Sequence, residues 1–173
     1  MLTRAASPRL HHIAYAVDDL QLAAERFART YGIGPFLAPP QGELACLEFH
    51  GEPCTWEHAV ALAAWGDTHV EIVTSGRIEP PALARRLGGA PRLAHVGYRV
   101  DDLDAAVAGL VANGAVPFLD AEGGPLHYRL LEDPVQAAYI ELQQDHPALR
   151  HMDEAIARAA ADWDGREPLR SLH

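Results

Sequence analysis

The chain has 173 residues, 49% hydrophobic and 22% charged, which suits one ordinary domain or two small halves sharing an interface. Asp and Glu outnumber Lys and Arg by 24 to 14, giving a formal charge of −10. With no basic stripe, that balance argues against a nucleic-acid partner, because phosphate binding relies on clustered positive charge.

In chain order, the first segment is polar, and no apolar run approaches the ~20 residues that span a bilayer. Cytoplasmic residence without membrane contact is the expectation. From His12 to Val17, Ile13, Tyr15 and Val17 alternate with His12, Ala14 and Ala16, a strand period. Asp18 or Asp19 then caps a helix carrying Leu20, Leu22, Ala23, Phe27 and Tyr31, with Gly32 as its stop. Apolar stretches at 45–49, 59–64 and 69–73, separated by Gly, Pro and Asp, predict three strands. Cys46 and Cys54 match neither a disulfide framework nor zinc-knuckle spacing, and both are expected as free thiols. Residues 75–92 read as a connection with a short helix around 82–87.

The second half repeats the first. His12-Ile-Ala-Tyr-Ala-Val-Asp-Asp-Leu20 matches His95-Val-Gly-Tyr-Arg-Val-Asp-Asp-Leu103 at six of nine positions, at an offset of 95 − 12 = 83. Leu103, Val107, Leu110 and Val111 form the matching helical stripe before Asn113-Gly114, and strands are expected at 116–119, 128–131 and 138–142. The predicted fold class is α+β: two tandem βαβββ modules at 9–74 and 93–144, with a helical tail at 145–173. Met152, Ile156, Ala159, Ala160 and Trp163 give that tail an amphipathic helix. It is expected to pack on the domain or on a second subunit, and a lid over the active site is the sharper reading.

The repeat places His12 and His95 at matching points of matching strands. Each half also carries one glutamate between aliphatic neighbours, Val70-Glu71-Ile72 and Ile140-Glu141-Leu142. A carboxylate facing a dry core is costly without a partner, and a cation removes that cost. Strand parity turns His11 to the opposite face from His12. His69, two residues before Glu71, remains a competing donor.

These motifs resemble the vicinal oxygen chelate superfamily, which includes glyoxalases, methylmalonyl-CoA epimerases, extradiol dioxygenases and bleomycin-binding proteins. The resemblance covers about residues 9–144, and Tyr31-Gly-Ile-Gly-Pro-Phe36 is similar to the turn of the epimerase-like branch. It implies that paired modules enclose a divalent ion (Zn, Ni, Co, Mn or Fe) held by His12, Glu71, His95 and Glu141. It also implies a homodimer. Two imidazoles and two carboxylates suit such an ion and leave positions for a small-molecule substrate. The expected activity is an epimerase or isomerase working on a carbonyl compound, such as an acyl thioester, through a metal-stabilised enolate. Glu141 and Glu71 are then the candidates for proton transfer.

A glyoxalase-type lyase is the close alternative, and a ligand-sequestering resistance protein is the alternative of another class. An Fe(II) dioxygenase fits less well, because it uses one carboxylate fewer. Further candidates for the substrate pocket are Glu48 on the strand at 45–49 and His50 at its end, Arg99 four residues after His95 on the same strand face, and His127 and Tyr128 after the Gly123-Gly124-Pro125 loop.

Overall fold

Two aspartates start the two long helices that the repeat predicts. Asp19 accepts a hydrogen bond from the Leu22 amide at 2.8 Å, and Asp102 accepts one from the Ala105 amide at 2.9 Å. These caps open α1 (Leu20–Tyr31) and α3 (Leu103–Val111). Gly32 ends α1 in the left-handed conformation, φ 67°, with its amide bonded back to the last turn.

The computed structural model of the chain describes residues 8–40 and 44–172. The remaining elements of the first half are β1 (Arg9–Ala16), β2 (Phe36–Ala38), β3 (Cys46–Phe49), β4 (Glu52–Pro53), β5 (Thr55–Trp65) and β6 (Thr68–Glu79). A short α2 (Pro81–Leu87) leads into β7 (Arg92–Val100), and after α3 come β8 (Val116–Gly123), β9 (Leu126–Glu132) and β10 (Tyr139–Gln144). The tail forms α4 (Pro147–Ala161) and β11 (Leu169–Ser171). The strands make one mixed sheet in the order β11-β2-β5-β6-β1-β7-β10-β9-β8-β3-β4. The class is α+β with a C-terminal helix, as the sequence pattern predicts. Among the described residues no helix is long and apolar enough to cross a membrane.

The two modules meet at the antiparallel pair β1–β7, where His12 lies opposite Gly97 and Ala14 opposite His95. Outside that pair, β6 runs parallel to β1 and β10 parallel to β7. Glu71 is in register with Ala14, and Glu141 with Gly97, the residue equivalent to Ala14 in the repeat. A pseudo-twofold relation therefore carries each histidine and each glutamate of one half onto those of the other.

Both faces of β6 and β10 are covered. Val70 and Ile72 pack outward with Ala24 of α1, and Ile140 and Leu142 pack outward with Leu103 and Val107 of α3. By strand alternation, Glu71 and Glu141 between them point to the opposite, inner face. On that inner face α4 lies over β5, with Ile156 packed on Leu37 and Leu62.

Two expectations change. The stretch at 45–49 forms β3, but it pairs with β8 of the second half and not with a strand of its own half. The first strand after α1 is instead β2, only three residues long, flanked by β5 and the tail strand β11. Trp163 lies so close over Gly34 that a Cβ there would sit 2.6 Å from the indole. The tail helix also begins earlier than predicted, at Pro147, because His146 caps it by accepting from the Ala148 amide.

Candidate metal centre

His12, Glu71, His95 and Glu141 converge on the inner face of the four central strands, all from one chain. His12 Nε2 and His95 Nε2 are 3.0 Å apart. Glu71 reaches them at 3.8 and 3.6 Å, and Glu141 at 3.7 and 3.5 Å. Neighbouring donors of an ion with bonds of 2.0–2.2 Å stand roughly 2.8–3.6 Å apart in octahedral or tetrahedral geometry. The separations involving the histidines fall close to that range; His12, Glu71 and His95 hold donor atoms within 4.8 Å of one another, and Glu141 reaches both histidines through its two oxygens. All four side chains are buried.

Burial sets the electrostatics of the group. It holds His12 well below the usual imidazole range, with His95 adding to the effect, and it lowers His95 to about 3. The same burial pushes Glu71 well above the carboxylate range, reinforced by the like charge of Glu141. It raises Glu141 to about 7, with the Arg99 guanidinium pulling the other way. Neutral imidazoles beside two carboxylates that resist ionising are the state that a divalent cation relieves, since it favours every one of the four as a ligand. The donor set fits such an ion.

The quartet lies in a cavity of about 420 Å³. Its walls are mainly apolar: Val60 and Leu62 from β5, Leu126 before Tyr128, and Leu149 and Met152 from α4. Of the weaker sequence candidates, Arg99 and Tyr128 line this cavity. Glu48, His50 and His127 are not among its lining residues. Glu48 lies on β3 opposite Asp120, His50 occupies the exposed turn after that strand, and His127 pairs with Asp120 at 3.2 Å. Burial and the Glu141 and Glu71 charges keep Tyr128 a neutral phenol.

His69 does not join the quartet but stacks on His11 at 4.7 Å. His11 departs from the parity expectation. The β1–β7 register shifts between Leu10 and His12, and this bulge turns the His11 ring inward, where its Nδ1 lies 2.8 Å from His12 Nδ1. His58, Gln143 and Asp153 escaped the sequence reading. Gln143 had a signal, since it follows Glu141 by two residues on the same face. Asp153 had none, because only tertiary folding brings α4 to β1.

The model of the glyoxalase/bleomycin resistance protein/dioxygenase superfamily matches residues 11–128, and the chain belongs to that superfamily. No curated protein matches the sequence. Among solved structures, the methylmalonyl-CoA epimerase from Mycobacterium tuberculosis is 20% identical, with a TM-score of 0.56, covering 87% of this chain and 97% of its own. A Streptomyces coelicolor methylmalonyl-CoA epimerase in complex with 2-nitronate-propionyl-CoA is 19% identical, with a TM-score of 0.55, covering 80% and 95%. A hypothetical protein from Bacillus halodurans is 16% identical, with a TM-score of 0.54, covering 81% and 96%. At these identities the likeness is one of fold.

Proposed function

We propose that the protein is a metal-dependent epimerase or isomerase that removes and returns a proton beside a substrate carbonyl. The observation that carries this reading is the convergence of two imidazoles and two raised carboxylates at one point of an apolar cavity. His12, Glu71, His95 and Glu141 would hold the ion. When bound, a divalent cation supplies Lewis-acid polarisation of the carbonyl, which acidifies the neighbouring C–H. Glu141 and Glu71 are the carboxylates that can accept this proton and return it. Tyr128, still a phenol, is a hydrogen-bond donor for a substrate oxygen, and the apolar walls keep bulk water from the carbanionic species.

The walls also bear on the substrate. Arg99 is the only arginine among the described lining residues; Asp153 engages its Nη2 at 3.4 Å, and its buried Nε and Nη1 have no hydrogen-bond partner. An apolar body attached to the carbonyl fits such a cavity better than a polyanionic carrier. A short acyl thioester therefore suits it, and a coenzyme A moiety would have to lie outside. The structural neighbours named as methylmalonyl-CoA epimerases support the reaction type by analogy of fold.

The test is deuterium uptake from D2O at the α-carbon, followed by mass spectrometry with metal-loaded protein. The panel holds 2-substituted acyl N-acetylcysteamine thioesters, their coenzyme A esters, and a glutathione hemithioacetal. Uptake into a thioester is the expected result. Conversion of the hemithioacetal alone would make the protein a lyase, and no turnover across the panel would overturn the proposal.

Metal affinity should depend on pH in a defined window. A raised carboxylate binds its proton more tightly when folded, so a cation must displace that proton below about pH 7, the value for Glu141. His95 does not compete until about pH 3. Affinity should fall about tenfold per pH unit below 7 for one displaced proton, and more steeply where Glu71 also releases one. Calorimetric titration with Zn(II) or Mn(II) between pH 5.5 and 8 checks this. A flat profile contradicts it.

A further inference from the structure

Behind His12, on the side away from the quartet, a second group of polar side chains links β1 to the tail helix. His11 Nδ1 lies 2.8 Å from His12 Nδ1, and His11 Nε2 lies 3.0 Å from Asp153 Oδ1 on α4. Arg99 Nη2 reaches the same Asp153 oxygen at 3.4 Å. We infer that Asp153 is a positioning residue for the metal site, acting through His11 to fix the tautomer and ring orientation of His12. This inference rests on the metal reading of the quartet.

The hydrogen-bond logic allows one consistent assignment. His12 turns Nε2 toward His95 and the two glutamates, so ligation there requires its proton on Nδ1. That proton finds its acceptor in His11 Nδ1. His11 must then carry its own proton on Nε2, where Asp153 receives it, because an ionised carboxylate only accepts. Each link determines the next. Were His11 protonated on Nδ1, two N–H groups would face each other at 2.8 Å, and His12 would be driven to the tautomer that cannot ligate. Carboxylate partners of metal-binding histidines do this work in general. Here an extra imidazole extends the link to a helix outside the two modules.

The group has another reading, a second cation site, since His11, His69 and Asp153 hold donor atoms within 4.8 Å of one another. Two observations weigh against it. Arg99 Nη2 stands 3.3 Å from His11 Nε2 and 3.4 Å from Asp153 Oδ1, so a permanent cation already occupies that neighbourhood. The other nitrogen of His11 is engaged by His12. Asp153 also has the charge state the link requires. Burial pushes its carboxyl up, but the hydrogen bond from His11 and the nearby Arg99 guanidinium are among the contacts that hold it below its ordinary range. The tail helix is thus part of the site's support as well as a wall of the cavity.

The experiment compares wild type, Asp153→Ala and Ile156→Ala by titration with Zn(II), Co(II) and Mn(II). Nitrogen-15 spectra of histidine-labelled, metal-free protein report the tautomers independently of any activity. Ile156→Ala loosens α4 on Leu37 and Leu62 and leaves the polar link untouched. Asp153→Ala is expected to weaken metal binding about 10- to 100-fold and to release His11 from its Nε2-protonated form, while Ile156→Ala stays close to wild type in both. Wild-type affinity and wild-type tautomers in Asp153→Ala would overturn the link and leave the metal reading standing. Equal weakening by both variants would also overturn it, by reducing the effect to helix packing. Wild type that binds none of the three ions would overturn the metal reading and the link with it.

Discussion

Glu141→Gln is expected to lower the rate of α-proton exchange by about 10²- to 10⁴-fold while leaving the protein folded. The substitution keeps the size and shape of the side chain and removes only its ability to ionise. In the metal-free protein that loss is a relief, because Glu141 is buried and its charge helps to push Glu71 up. The sign follows from linkage. A carboxylate raised in the folded state favours folding at low pH and opposes it as pH rises past the unfolded value toward 7. At pH 8, metal-free Glu141→Gln should therefore melt no lower than wild type, and at pH 5 the two should converge. With metal present the order reverses, since the amide is a poorer ligand and the cation's stabilisation shrinks. Scanning calorimetry with and without a chelator, beside the exchange assay, separates these effects. Wild-type exchange in this variant would remove Glu141 from the mechanism.

Much of this site was legible because the chain says the same thing twice. The offset of 83 between His12 and His95 predicts equivalent strands, and the register His12 opposite Gly97, Ala14 opposite His95 realises that equivalence. Glu71 and Glu141 could be picked out because aliphatic neighbours on both sides leave a strand residue one way to face, and the outer face belongs to α1 and α3. Legibility ended where local pattern stopped deciding. Parity sent His11 outward, but one bulge residue reverses parity, and nothing in the sequence marks the bulge. The strand at Cys46–Phe49 was visible as a strand, yet its partner β8 lies in the other half, and pairing across modules has no sequence period. β2 is too short to show an alternation at all. Asp153 sits on an ordinary amphipathic helix, and its role depends on where α4 docks.

Gly97→Ala should cost the site its metal, and the reason lies in a place where the pseudo-symmetry fails. Position 97 corresponds to Ala14 in the repeat, so each module has a small residue opposite the other module's histidine. A methyl group is accommodated at 14, opposite His95. At 97 a Cβ would stand 2.0 Å from His12 Cε1 and 2.3 Å from His12 Nε2, far inside contact distance. The ring is held at both nitrogens, with His11 at 2.8 Å from one and His95 at 3.0 Å from the other, so yielding breaks those contacts. The added methyl must then move β1 away from β7 or turn His12 out of its rotamer. Either change displaces a ligand nitrogen by more than a metal site tolerates. The cost in stability should be that of overpacking, about 1–3 kcal/mol, so the variant should still fold and can be titrated. Its affinity for Zn(II) should fall at least as far as in Asp153→Ala, whereas Ala14→Gly, which opens space and closes none, should keep its metal and lose only the small penalty of a glycine in a strand. Wild-type metal binding by Gly97→Ala would show that His12 Nε2 is not where the ion is held.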